Sequence, residues 1–339
     1  MAWSKILIKT SEGKSVEAQA PVILSASRST DIPAFYSDWL VERVKQGYLK
    51  WKNPFNGVPS YISFANTRLI VFWTKNPRPI FTHLPFFNEN IKNYYFQYTL
   101  NDYDYEKLEK GVPDVNERIE TFIQLSELIG KQKVIWRFDP LILTDEIGIE
   151  ELLTKVEYIG DRLKNHTTKF VFSFADIKIY KKVQNNLRKS SIKYIEFNER
   201  TMDEFSKQLH LLNAKWKFEI GTCAEKVDLE KYGIVHNKCI DEDLIIKLFN
   251  KDKMLMDFLG VKILEPDMFS NGSKFIKTKD NKDKGQRAFC GCLISKDIGE
   301  YNTCPHLCEY CYANASKEAA ISNWKRHITN PFTDMISGG

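Results

Sequence analysis

Six short apolar or β-branched runs alternate with amphipathic stretches along the first two thirds of the chain, and this alternation is what most limits its fold. The runs cover residues 21–27, 69–73, 94–100, 134–138, 169–174 and 216–221. Most of them are apolar at consecutive positions, not only at every second one. Strands of that kind are buried on both faces, as in a parallel sheet covered by helices. Residues 5–10 add a candidate edge strand. Strand followed by helix, repeated about six times, predicts a parallel α/β sheet, open or curled into a barrel.

The stretches between the runs carry terminal signals. Thr30 or Asp31 can cap a helix with Pro33 in its first turn; Phe35, Trp39, Leu40 and Val44 share a face, and Gly47 ends the segment. Asp114 with Glu117 opens another helix, which Gly130 closes. Ile149, Leu152, Leu153, Val156, Ile159 and Leu163 stripe a third, and Thr201 with Glu204 reads as the capping box of a fourth.

Beyond residue 222 the strands fade, loops rich in Asp, Lys and Gly appear, and the cysteines arrive. Five of the seven lie between Cys290 and Cys311. The expected organisation is a body over 1–222 and a cysteine-rich segment over 223–339 packed on the same domain. No run of about 18 apolar residues suggests a membrane span. The opening residues are too short and broken an apolar stretch for a secretory signal. A cytoplasmic protein is therefore expected, and clustered thiols in a reducing compartment point to metal ligation, not disulfides. The net charge of +5 permits a nucleic-acid partner without arguing for one. A local basic excess over 273–287, with Lys274, Lys277, Lys279, Lys282, Lys284 and Arg287, reads as a solvated loop or as a lid contacting phosphate.

The strongest chemical signal is Cys304-Pro-His-Leu-Cys308-Glu-Tyr-Cys311, a C-x3-C-x2-C spacing. Chance would give roughly 0.003 such matches in this chain, so the spacing is a signal. Three thiolates on one tight loop can ligate three irons of a [4Fe–4S] cluster, leaving the fourth iron open to a small molecule. The alternative is a zinc knuckle completed by another ligand, such as His306. Cys290-Gly-Cys292, with Cys223 and Cys239, supplies enough thiolates for a second, closed site. That site would be an auxiliary [4Fe–4S] cluster or a structural zinc; ordinary buried cysteines are the other reading.

Polar residues at strand C-termini would face one mouth of such a sheet. They are Ser27, Arg28 and Asp31; Lys75 with Thr74 and Asn76; Arg137 and Asp139; Ser173 with Asp176; and Glu219, Thr222 and Glu225. Arg28, Asp31, Lys75, Arg137, Asp139 and Glu219 are the catalytic candidates, and Ser27 and Ser173 the cofactor-binding ones. An Arg or Lys here can hold a carboxylate or phosphate. The alternative for each of these residues is a helix cap or a salt-bridge partner. Trp73 and Trp136 read as core.

The loop from Tyr301 to Asn314, with Tyr310 just before the last cysteine, resembles that of radical S-adenosylmethionine (SAM) proteins of the spore photoproduct lyase-like, "DNA repair photolyase", group. Four stretches also resemble the domain-of-unknown-function 1848 family: Ser25 to Tyr36, Val71 to Pro77, Trp136 to Pro140, and Cys290 to Ala313. The resemblance implies SAM chelated to the open iron, with Tyr310 and Tyr312 shaping its adenine side, and a reductant such as a flavodoxin or ferredoxin. It also implies a hydrogen-abstracting enzyme whose substrate is unidentified, a nucleic acid or nucleotide by analogy. A non-catalytic iron–sulfur or zinc protein that binds nucleic acid or senses redox state is the rival. Radical SAM proteins carry this loop early in the chain, whereas here it comes last. The expected fold is therefore a partial (β/α)6 TIM-like barrel, circularly permuted. The strand feeding the loop, expected at 293–295, would stand first in space.

Overall fold

The computed structural model describes residues 3–264, 274–287 and 289–338. Its centre is an eight-stranded, all-parallel sheet. In chain order the strands are β1 (Ile23–Ala26), β2 (Leu69–Thr74), β3 (Tyr94–Thr99), β4 (Val134–Leu141), β5 (Lys169–Phe174), β6 (Glu219–Thr222), β7 (Ile234–His236) and β8 (Lys296–Asp297). In space they run β7-β6-β5-β4-β3-β2-β1-β8. The first seven follow chain order, and the last strand returns to lie beside the first, with Lys296 opposite Leu24 and Asp297 opposite Ser25. The sheet is open, because β7 and β8 form its two edges.

The double-sided burial expected of the strands is present. Leu24, Ile70, Phe72, Phe96, Trp136 and Phe170 face one core, packed by helices Ser37–Gln46, Val115–Ile129, Ile149–Leu163 and Glu199–Trp216. Ile23, Leu69, Val71, Tyr95, Ile135 and Val171 face the other. That second face is covered by chain beyond residue 238: helices Glu242–Phe249 and Lys253–Leu259, with Cys290 and Cys292. The stretch from Cys239 to Leu293 thus covers that face, and the C-terminal third also supplies two of the sheet's strands.

Several expectations shift. The strand expected at 216–221 is Glu219–Thr222, because Trp216 ends the preceding helix. That helix begins earlier than the Thr201 box predicts. Asn198 is its cap and accepts from Thr201 N at 3.0 Å, while Thr201 Oγ1 accepts from Asn198 N at 2.9 Å. The strand feeding the cysteine loop is Lys296–Asp297, not 293–295; Leu293 lies outside it, in an isolated bridge to Lys282. Residues 5–10 do not edge the parallel sheet. Lys5–Lys9 belongs to a separate four-stranded sheet with Ser15–Gln19, Pro59–Ser63 and Tyr48–Lys52. Among the described residues no helix is long and apolar enough to cross a membrane.

Candidate metal centre

The cysteine loop enters from β8, whose last residue clips it to β1. Asp297 accepts from Ser25 Oγ at 3.0 Å, Ser27 Oγ at 2.8 Å, Arg28 N at 2.9 Å and Gly299 N at 2.9 Å. A Cβ on Gly299 would fall 1.8 Å from Ser27 Oγ, so only glycine lets the two segments approach this closely. Farther on, Tyr36 donates to Thr303 O at 2.6 Å and Tyr312 to Arg28 O at 3.0 Å. Ser27, a cofactor candidate from the sequence, is spent on this docking.

Asp31 does cap the short helix Ile32–Phe35, accepting from Ala34 N at 3.1 Å. Its other oxygen accepts from Lys75 N at 2.6 Å and lies 2.8 Å from His306 Nε2. His306 Nδ1 lies 3.0 Å from Gly111 O, so both ring nitrogens are engaged. Gly111 N returns a bond to His306 O at 2.9 Å, and a Cβ there would sit 2.6 Å from Pro305 O.

The other side of the loop rests on a buried charge network that the sequence did not reveal. Glu109 takes Lys75 Nζ at 2.7 Å, Arg118 Nη1 at 3.1 Å and Asn101 Nδ2 at 3.0 Å, and also accepts the Tyr310 hydroxyl. Burial alone would raise its carboxyl. Lys75 and Arg118 outweigh that and hold it at about 2. Lys75 Nζ also donates to Tyr310 at 2.8 Å. Tyr310 and Lys75 therefore fix the loop from beneath. Glu309, also buried, takes Lys317 at 2.7 Å and Lys110 at 2.9 Å.

Of the three loop cysteines, Cys308 is buried and Cys304 and Cys311 are half-buried. Burial pushes Cys304 up to about 12, Cys308 well above the ordinary thiol value, and Cys311 up as well. Cys308 also feels the charges of Cys311 and Cys304, so the three lie within electrostatic reach of one another. Among the described residues no three His, Cys, Asp or Glu side chains stand in position to hold a single metal ion.

At the neighbouring strand ends, Arg28 and Arg137 flank Trp73, each guanidinium 5.2 Å from its ring. Arg28 Nη2 and Trp73 Nε1 are buried without a hydrogen-bond partner among the described residues. Arg137 Nη1 donates to Gln97 Oε1 at 3.2 Å and to Cys239 Sγ at 3.1 Å. Its Nη2 pairs with Asp139, which also accepts from Ser173 Oγ. Arg137, Asp139 and Ser173 thus form one hydrogen-bonded set. Glu225 accepts from Phe174 N at 3.0 Å, and burial pushes its carboxyl up to about 7.

Glu219 does not belong here. It is the first residue of β6, exposed at the opposite end of the sheet from these groups. Trp136 is core as expected, but Trp73 is only half-buried and stands between the two guanidiniums. Cys223, Cys239, Cys290 and Cys292 are brought together, with Cys223 Sγ 3.5 Å from Cys239 Sγ. Of the basic stretch, residue 273 and the side chain of Lys274 lie outside the described residues. Lys277 pairs with Glu242, and Lys279 donates to Asp257 O at 3.1 Å, which are contacts within the C-terminal third. Asp297, Glu109, Asn101 and Arg118 were not singled out from the sequence. Only Asp297, directly upstream of the cysteine loop, had a position that could have flagged it.

Fold and site together define a parallel α/β protein with a cysteine-rich loop delivered to one edge of its sheet by the last strand. The chain belongs to the family described as a domain of unknown function (DUF1848), whose model matches residues 23–313, from the start of β1 to just past Cys311. No curated protein and no solved structure matches it.

Proposed function

We propose that the protein is a radical SAM-type enzyme whose [4Fe–4S] cluster is held by Cys304, Cys308 and Cys311. The observation that carries the reading is the engagement of both His306 nitrogens by Asp31 and Gly111. This takes up the one histidine within the motif, the fourth ligand that a zinc knuckle there would use first, and leaves the loop a three-thiolate donor set. A cubane binds each thiolate at a different iron, so its ligands need not converge on one point. When bound, the cluster and SAM supply one chemistry: one electron breaks the sulfur–C5′ bond, giving methionine and a 5′-deoxyadenosyl radical that takes a hydrogen atom from the substrate.

The chain's own residues bind and orient. Arg28, whose buried Nη2 has no partner among the described residues, would hold a carboxylate of SAM or a phosphate of the substrate. Tyr312 would line the adenine side, and the Lys75–Glu109–Tyr310 network keeps the loop in place. We read the open sheet as a partial (β/α) barrel, permuted so that the strand feeding the loop comes last in the chain. The pairing of β8 with β1 supports this. The loop's likeness to the photolyase-like group points to a nucleic acid or nucleotide substrate and to a flavodoxin or ferredoxin reductant.

The test is anaerobic reconstitution with iron and sulfide, reduction by dithionite, and assay for 5′-deoxyadenosine with SAM present. The wild type should form it and Cys308→Ala should not. An intact, reduced cluster that yields none overturns the reading in favour of a non-catalytic iron–sulfur protein.

A further inference from the structure

The four cysteines outside the loop come from three places in the chain. Cys223 follows β6, and its N–H continues the ladder to Phe172 O at 2.8 Å. Cys239 lies just beyond β7, and its carbonyl is gripped by Tyr95 Oη at 2.8 Å and Gln97 Nε2 at 2.7 Å. Cys290 and Cys292 sit on the segment leading to β8, which is tied back through Leu293 N to Ile240 O at 3.0 Å.

The thiols form a row. Cys223 Sγ is 3.5 Å from Cys239 Sγ, Cys239 contacts Cys292 through its side chain, and Cys292 contacts Cys290. None is in a disulfide. N–H donors are aimed at the sulfurs. Arg137 Nη1 lies 3.1 Å and Asn237 Nδ2 3.4 Å from Cys239 Sγ, and Cys239 N lies 3.2 Å from Cys292 Sγ. A neutral thiol is a weak acceptor, whereas a metal thiolate is a strong one and is usually steadied by such outer donors.

We propose that Cys223, Cys239, Cys290 and Cys292 form a closed tetrathiolate site for one zinc-class divalent ion. The close Cys223–Cys239 pair favours this over a second iron–sulfur cluster. A zinc–sulfur bond of about 2.3 Å sets tetrahedral sulfurs about 3.8 Å apart, near the Cys223–Cys239 separation. A cubane's ligand sulfurs sit on separate irons and lie farther apart. No three of these thiols converge on one point as they stand, so closing the row on one ion takes a change of side-chain rotamer at its ends, Cys223 and Cys290. Four thiolates on a divalent ion leave two negative charges, and the Arg137 guanidinium already faces them. The site would staple the covering C-terminal third to the ends of β6 and β7. It does not rest on the SAM reading.

The test is metal content of the full-length protein by mass spectrometry, with zinc supplied during expression. Wild type should carry about one zinc per chain. Cys304→Ala/Cys308→Ala/Cys311→Ala should keep the zinc while losing its iron, and Cys290→Ala/Cys292→Ala should lose the zinc while keeping its iron. If the variants fail to fold, cobalt(II) titrated into zinc-stripped wild type should give the visible bands of tetrahedral tetrathiolate cobalt. Iron that departs with Cys290 and Cys292 overturns the proposal. So does wild-type protein that contains no zinc and gives no tetrathiolate cobalt spectrum.

Discussion

At the scale of single residues, Glu109 shows how the cysteine loop is held. Its carboxylate lies in the interior against one lysine and one arginine, and its hydrogen bonds reach Tyr310 on the loop itself. A buried ion pair adds little net stability, because desolvation offsets much of the attraction. Removing one partner is costly, because it strands the other charge. Glu109→Gln should therefore destabilise the fold by about 3–5 kcal/mol. Because Arg118 keeps Asp104 at 3.2 Å, the stranded charge is chiefly Lys75. Combining Glu109→Gln with Lys75→Met should then cost less than the sum of the two single changes, which a double-mutant cycle of urea melts would measure. Simple additivity would mean that the two residues do not act as a pair. Nothing in the sequence marks Glu109. Its significance comes from a contact with a tyrosine 201 positions away, and local patterning carries no information about such a pairing. Asp31 differs: its place before Pro33 announced a cap, and it is one.

Among secondary-structure elements, what was legible follows from burial. Strands buried on both faces read as continuous apolar runs, and the helix limits at Asp114, Gly47 and Gly130 were readable because caps are chemically local. The four-stranded sheet escaped because its strands mix charged and apolar residues and are half exposed; Leu7, within Lys5–Lys9, is 80% exposed. The covering helices were also missed, although one carries a cap with a second task. Asp252 accepts from Leu255 N at 3.0 Å at the start of Lys253–Leu259, and it takes Arg68 Nη2 at 2.7 Å and Asn93 Nδ2 at 2.7 Å. This joins the covering segment to the N-terminal end of β2. Asp252→Ala removes both the cap and the pair and should cost about 3 kcal/mol. Burial would raise the Asp252 carboxyl, but bonds from Arg68, Leu255 N and Asn93 outweigh it and hold it below the ordinary 3.8. Because the folded value is depressed, the contribution is fully present above 3.8 and fades as pH falls below it. The stability gap between wild type and Asp252→Ala should therefore be constant near neutrality and narrow in acid. A gap that widened in acid would contradict the assignment.

On the scale of the whole molecule, the order of strands decides where the chemistry sits. Seven strands are laid down in sequence, and the eighth crosses back to stand beside the first. The cysteine loop therefore reaches the C-terminal ends of β1 and β2 although it is encoded some 270 residues after Ser27. The strand making this return is only two residues long, Lys296–Asp297, so its ladder bonds are few. The four bonds accepted by the Asp297 carboxylate are its main anchor. Charge-assisted bonds of this kind contribute about 1.5–3 kcal/mol each when considered singly, but they share one side chain and are not additive. Asp297→Ala should therefore release the loop without unfolding the sheet, because β1 to β5 are joined by longer parallel ladders that do not involve β8. Hydrogen exchange should speed up over residues 296–312 and stay slow over 69–74, 94–99 and 134–141, while iron retained after reconstitution should fall. Asp297→Asn, which keeps one acceptor oxygen, should lie between the two. If Asp297→Ala leaves exchange in the loop unchanged, the anchor lies in the contacts of Tyr36, His306 and Tyr310 instead. If exchange accelerates everywhere, the eighth strand is part of the cooperative fold and not an appendage that positions the loop.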